Sequence, residues 1–359
     1  MDERVREHAE ILVDWSARVE PGDDVVVSVG PEAHELAVAV AEALGERGAN
    51  LLATYSSGEL QRAYLQAHDG EFDEADHELA LAREADVYLS LGGGRNTSAT
   101  ADVPGEARNA YREARQDIRE ARYDTRWVST VHPTRSLAQQ ATMAYEEYQE
   151  FAYGAIIRDW ESLAAEMDRV KEILDAGSEV RLVSGDTDLT MSIADRTAVN
   201  SAASVAYDSH NLPSGEVFTA PAETEGEVVF DVPMTIRGES VRGVRLEFAD
   251  GEVVDYGASE GEDVIGDVLE TDDGARRLGE LGIGMNRDID RYTDNILFDE
   301  KMGDTVHLAL GRAYDACLPE GESGTASAVH VDLITDVSED SRLEVDGEVI
   351  QRNGRFRWE

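Results

Sequence analysis

Carboxylate and imidazole side chains recur through the final third of this 359-residue chain at positions suited to holding metal ions. They stand in Gly215-Glu216-Val217-Phe218-Thr219-Ala220-Pro221, in Leu278-Gly279-Glu280, in His307-Leu308-Ala309-Leu310-Gly311-Arg312-Ala313-Tyr314 and in His330-Val331-Asp332. Successive side chains of a strand point to opposite faces, so His330 and Asp332 share one face while Val329, Val331 and Leu333 bury the other. His307 alternates with Val306, Leu308 and Leu310 in the same manner and predicts a second half-buried strand. The candidate donors are therefore Glu216, Glu280, His307, His330 and Asp332, with Glu300 and Tyr314 nearby. Mixed oxygen and nitrogen donors suit zinc, cobalt or manganese, whereas calcium takes oxygen throughout. A set rich in glutamate suits a pair of ions, because one carboxylate bridges two cations through its two oxygens and offsets part of their charge. One carboxylate alone carries little weight in so acidic a chain; the joint pattern carries the argument.

The elements that must position these residues fall into two groups. Val5, Ala9, Ile11, Leu12 and Trp15 are spaced as a helix over residues 5 to 20, which Pro21-Gly22 stops. Val25-Val26-Val27-Ser28-Val29 predicts a buried strand, followed by an alanine-rich helix from about Ala33 to Arg47, a Gly48 stop and a strand over 50–54. The pattern returns at 85–91, just before Gly92-Gly93-Gly94, and at 127–131 after an Arg- and Glu-rich helix. Strands alternating with helices predict a mostly parallel sheet. The triple glycine lacks the spacing and the Lys-Ser/Thr of a phosphate-binding loop and reads as a turn, and His132-Pro133 reads as loop. A helical stretch from Tyr145 to about Ala176 places Tyr148, Phe151, Tyr153, Ile156, Ile157, Trp160, Leu163 and Met167 for core packing or a subunit contact, and the domain boundary falls inside it. Beyond Gly177, short strands at 179–183, 187–193, 227–232, 241–248 and 253–256 with turns such as Ala249-Asp250-Gly251 predict antiparallel structure. One helix over 262–269 and a helical turn near Thr271 complete the reading. The expected architecture is an α/β Rossmann-like domain with a mostly parallel sheet over residues 1–160 and a β-rich α+β metal-binding, catalytic domain over 161–359.

Charge bounds the partners. Asp plus Glu number 76 against 32 Lys plus Arg, a formal net charge of -44, and only Lys171 and Lys301 are lysine. Such self-repulsion is tolerable where concentrated salt screens charge within a few ångströms. The acidic, lysine-poor make-up looks like that of an extreme halophile, and a halophilic archaeon is the expected source. No basic patch stands out, so neither nucleic acid nor an anionic membrane is an expected partner. No apolar run approaches the roughly 20 residues of a membrane span, and Met1-Asp2-Glu3-Arg4 is unlike a signal peptide, so a cytoplasmic location is expected. Cys317 stands alone, which excludes an intrachain disulfide and a thiolate cluster; in a polar loop before Pro319, it is not expected to be a nucleophile.

Asn211-Leu212-Pro213-Ser214-Gly215-Glu216-Val217-Phe218-Thr219-Ala220-Pro221, Thr271-Asp272-Asp273-Gly274-Ala275-Arg276-Arg277-Leu278-Gly279-Glu280, Asn295-Ile296-Leu297-Phe298-Asp299-Glu300 and the His307 to Tyr314 stretch resemble the thermophilic aminopeptidase family, peptidase family M29. Gly185-Asp186-Thr187-Asp188-Leu189-Thr190 is similar as well, and the likeness extends more loosely through the N-terminal half. The resemblance implies a metallo-aminopeptidase that uses two divalent ions (zinc, cobalt or manganese) to release N-terminal residues from small peptides, as a homodimer. It further implies that Glu216 and Glu280 bridge the ions, that Glu300, His307, His330 and Asp332 complete the shell, and that Tyr314 serves in catalysis, with Glu216 the first choice for moving the proton. The interval from Glu300 to His307 is longer than in better-known members, which makes Asp304 an alternative to Glu300. The interval from His307 to His330 is shorter, which trims a loop beside the site. Two readings compete: a metallohydrolase of another small amide or ester, and a non-catalytic metal-binding dimer. A nucleotide-binding role for the N-terminal domain rests on fold analogy alone.

Overall fold

The computed structural model describes residues 1–359, which form two compact units: Met1–Arg158 with Ala203–Pro213, and Asp159–Ala202 with Ser214–Glu359. In the first unit a five-stranded sheet runs in the order Asn50–Tyr55, Asp24–Val29, Val87–Gly92, Arg126–Val131, Asn211–Leu212, with every neighbouring pair parallel. Val25, Val26 and Val27 are all buried, as a run of β-branched residues in a covered sheet requires. The helix His34–Arg47 ends at Gly48, whose φ of 77° is the left-handed conformation that glycine adopts without a steric penalty. The fifth strand was not foreseen, since two residues are too few to show any periodicity. The helix expected over 5 to 20 begins as an α-helix, Glu3–Glu10, and continues as the π-helical turn Ile11–Ser16. At the triple glycine, Gly30 N donates to Leu91 O and Glu32 N to Gly93 O, so the segment closes a tight backbone crossing at the strand ends.

The helical stretch from Tyr145 to Ala176 is two helices, Tyr145–Ile156 and Trp160–Ala176. Asp159 starts the second by accepting a hydrogen bond from Ser162 N at 3.0 Å. Continuous apolar spacing hides this break because both helices bury the same kinds of side chain.

The second unit holds an eight-stranded sheet in the order Glu252–Gly257, Val244–Ala249, Thr224–Phe230, Thr187–Ser192, Glu179–Ser184, Ser341–Val345, Glu348–Arg352, Arg355–Phe356. A separate five-stranded sheet runs His330–Asp336, Thr305–Gly311, Leu278–Gly284, Glu216–Thr219, Val199–Ser201. Both are antiparallel throughout. The predicted helix is present as Glu262–Leu269, and the turn near Thr271 is the 3-10 segment Asp273–Arg276. Cys317 corrects one expectation: it is buried, in a cluster with Val199, Ala220 and Ala313, rather than in a polar loop. Burial pushes its thiol up to about 12, which keeps it protonated and unreactive. No helix is long and apolar enough to cross a membrane.

Candidate metal centre

Residues directly paired across antiparallel strands project to the same face. In the five-stranded sheet the pairs Gly284 with Glu216, Glu280 with Ala309, Gly282 with His307, Ala309 with Asp332 and Gly311 with His330 put the five donors on one face. Val217, Leu281, Ile283, Val306, Leu308, Leu310 and Leu333 project to the other and are buried. Each such side chain contributes about 1.5–3 kcal/mol, which makes the frame stiff. On the donor face the intervening residues are small: Gly282, Gly284, Ala309 and Gly311. A Cβ on Gly282 would overlap the imidazole of His307, so glycine is what allows that ring to lie flat across the neighbouring strand. The register shifts between Leu278 and Glu280, and this bulge at Gly279 re-aims the Glu280 side chain.

His307 is fully buried, with Nε2 3.1 Å from Glu280 Oε1 and 3.5 Å from Glu216 Oε2. One donor atom each from Glu216, Glu280 and His307 lie within 4.8 Å of one another. His330 Nε2 is 3.4 Å from Asp332 Oδ1 and 3.6 Å from Glu280 Oε2. Its Nδ1 donates to the Arg312 carbonyl at 2.9 Å, which turns Nε2 toward the carboxylates. Five of the donors read from sequence thus converge. Glu300 reaches them only through Lys301: its Oε1 meets Lys301 Nζ, which lies 3.4 Å from Glu216 Oε1. The carboxylate of Asp304, the alternative to Glu300, pairs with Arg287 and packs against Gly354. Tyr314 is partly exposed, its ring centre 5.0 Å from that of His330 and 5.7 Å from that of Phe218.

The electrostatics call for cations. Burial raises the Glu280 carboxyl above the usual carboxylate range, although the His307 contact pulls the other way. For His307, burial opposes the charge, but Glu280 and Glu216 outweigh it and the imidazole is raised. His330 is likewise opposed by burial and pushed up to about 9 by Asp332 and Glu280. Glu216 Oε2 and His307 Nδ1 are buried without a hydrogen-bond partner. Carboxylates crowded in a dry pocket with an oxygen left unbonded are costly unless a cation offsets them. The residues present fit a divalent metal of the zinc, cobalt or manganese type, held by carboxylate and imidazole together.

Lys301 is the residue that reading by donor type missed. It is completely buried, its ammonium set between Glu216 and Glu300. A compositional signal could have found it, since Lys171 and Lys301 are the only lysines of the chain. Asp299 was missed too: it accepts from Thr293 N at 2.9 Å, Thr293 Oγ1 at 2.7 Å and Asn295 N at 2.9 Å, and so fixes the segment that presents Glu300 and Lys301.

Known proteins resemble this chain along nearly its whole length. Residues 1–356 match the family described as thermophilic metalloprotease (M29). Aminopeptidase T of Thermus aquaticus is 28% identical over 410 aligned positions, which cover 99% of this chain and 98% of the relative. Aminopeptidase PepS of Streptococcus thermophilus is 26% identical over 395, covering 96% and 94%. The solved structure of wild-type AmpT from Thermus thermophilus superposes with a TM-score of 0.86 at 26% identity, over 99% of each chain. A match along nearly the full length, with a donor cluster suited to divalent metal, places the chain in the M29 family of thermophilic metalloproteases.

Proposed function

We propose that this metalloprotease is an aminopeptidase that releases N-terminal amino acids from small peptides at a centre of two divalent ions, zinc, cobalt or manganese. The observation that carries the proposal is the convergence of Glu216, Glu280 and His307 within 4.8 Å, beside His330 and Asp332. Glu216, Glu280, His307, His330 and Asp332 would hold the ions, and Glu300, at the Lys301 side, would complete the set. When bound, such ions acidify water and polarise a carbonyl. The remaining work belongs to the chain. Glu216 accepts the proton of the attacking water and returns it to the leaving amine. Tyr314, at the open edge of the cluster, donates a hydrogen bond to the oxyanion as the carbonyl becomes tetrahedral. The carboxylate-rich pocket favours a free α-amine over a blocked terminus, which directs cleavage to the chain end. The protein acts as a homodimer in the cytoplasm of a halophilic archaeon.

Replacing Glu280 by Gln removes a donor charge at nearly constant volume. Turnover of aminoacyl-p-nitroanilides falls by more than about 100-fold while the circular dichroism spectrum is unchanged. Chelation abolishes wild-type activity, and adding back zinc, cobalt or manganese restores it. Normal turnover in Glu280→Gln, or equal hydrolysis of N-blocked substrates, would sink the proposal.

A further inference from the structure

No basic patch stands out in a chain with 76 acidic and 32 basic residues, yet folding creates one. Arg108, Arg112, Arg115, Arg119 and Arg122 recur at alternating intervals of four and three, the spacing that aligns side chains on one helical face. They sit on the consecutive helices Gly105–Glu113 and Gln116–Tyr123 and in the link between them. All five line a single cavity of about 460 Å³ in the first unit, with Glu78 as the one carboxylate of its wall. Glu78 lies 3.4 Å from Arg115 Nε; the other four arginines have no carboxylate within ion-pair distance. Elsewhere in this molecule carboxylates are in large excess, so four guanidiniums without a carboxylate at one cavity need a cause, even though Arg119 Nη1 donates to the Arg112 carbonyl at 2.5 Å.

Two of the five are set in place by stacking. The Arg115 guanidinium lies 3.7 Å over the Tyr111 ring, its side chain only 18% exposed; its Nη1 is buried without a hydrogen-bond partner, and its Nε has only the long ion-pair contact to Glu78. Arg122 lies 4.0 Å over the Tyr88 ring and donates through Nη2 to Ser90 Oγ at 3.2 Å, while its Nε is also unpartnered. Buried donors without acceptors are rare and costly in a folded chain. Guanidinium forks held against aromatic faces keep little side-chain freedom to lose on binding the paired oxygens of a phosphate or carboxylate.

We propose that this cavity binds a small organic molecule bearing at least two acidic groups, a phosphate ester or a polycarboxylate. A single acid group meets two or three guanidiniums, so five at one cavity require a ligand with more than one. None of these residues belongs to the unit that carries the metal centre, and the proposal stands whether or not the peptidase assignment does.

The test is calorimetric titration of the intact, metal-loaded protein at the lowest KCl concentration at which it stays folded. The probes are inorganic phosphate, glycerol 3-phosphate, a hexanediol bisphosphate and tricarballylate. Saturable binding of the bisphosphate or of tricarballylate is expected, at least about tenfold tighter than that of inorganic phosphate. The tighter of the two identifies the acid type. Arg115→Gln weakens it by tenfold or more. Arg112→Gln, at an exposed position that the fold does not need, weakens it less and keeps the test valid if Arg115→Gln fails to fold. Absence of saturable binding by the folded wild type, or unchanged affinity in Arg112→Gln and Arg119→Gln, would overturn the proposal. So would substitutions that alter the sedimentation mass and leave anion binding unchanged, because they would assign the stripe to contact between copies.

Discussion

At Gly282 the missing side chain makes room for the His307 ring. The His307 imidazole occupies the space a Cβ would take, and the two residues are paired across the sheet. Gly282→Ala therefore forces a rigid ring to move between two packed strands. A loss of about 1–3 kcal/mol is expected from thermal denaturation, together with weaker metal binding in a direct titration; an unchanged melting temperature and affinity would show that the ring has slack. His8 tests burial without a metal. It is fully buried, Nε2 2.7 Å from Thr130 Oγ1, and desolvation with His132 nearby pushes it down from 6.5 to about 3. Between those values the unfolded chain binds a proton that the folded chain refuses. The contribution of His8 is thus complete above pH 6.5 and is lost as pH falls toward 3. At about 1.4 kcal/mol per pH unit, roughly 2 kcal/mol disappears between pH 6.5 and 5. Urea unfolding of His8→Gln should show a correspondingly flatter decline over that interval; parallel declines would exclude His8 as a cause. The pairing of His330 with Asp332 was legible in sequence, because parity along a strand needs no tertiary information. Lys301 was not, because donor-type reasoning looks for anions and imidazoles and passes over the cation that lies among them.

The strands differ in how openly the sequence announced them. Val25 to Val29 and Glu262 to Leu269 follow their periodicities closely, and the structure places a strand and a helix there. Leu278–Gly284 is the central strand of the site, yet Leu-Gly-Glu-Leu-Gly-Ile-Gly is poor in strand-favouring residues. Its glycines make room for His307 and for the backbone at Met302, so tertiary packing overrides propensity. The same reasoning identifies a staple for the His330 strand. Asp272 accepts from Ala275 N at 2.9 Å, from Ser327 Oγ at 2.7 Å and from Ala328 N at 2.7 Å, which ties the 3-10 segment Asp273–Arg276 to the residues just before His330. Asp272→Ala frees that approach while leaving every donor in place. Metal affinity is expected to fall about tenfold, as for other residues that orient ligands from behind. Asp272→Asn, which keeps one acceptor oxygen, should retain most of it. Equal affinity in wild type and Asp272→Ala would mean that the strand pairing alone positions His330.

At the scale of the whole molecule, the net charge of -44 dominates. Many cations are already paired on the surface, as in Arg181 with Asp188 or Arg245 with Asp255, and exposed pairs of this kind add little to stability. They leave the bulk of the acidic charge uncompensated, and its repulsion favours the expanded chain. The distance over which that repulsion acts is about 10 Å at 0.1 M salt and about 3 Å at 1 M. The folded state should therefore gain stability steadily between those concentrations, with the melting temperature rising by several degrees or more. Screening depends on ionic strength and not on which monovalent cation supplies it, so choline chloride should act much as KCl does. A rise with KCl alone would point to specific potassium binding, and a flat profile would show that the acidic surface imposes no net strain on the fold.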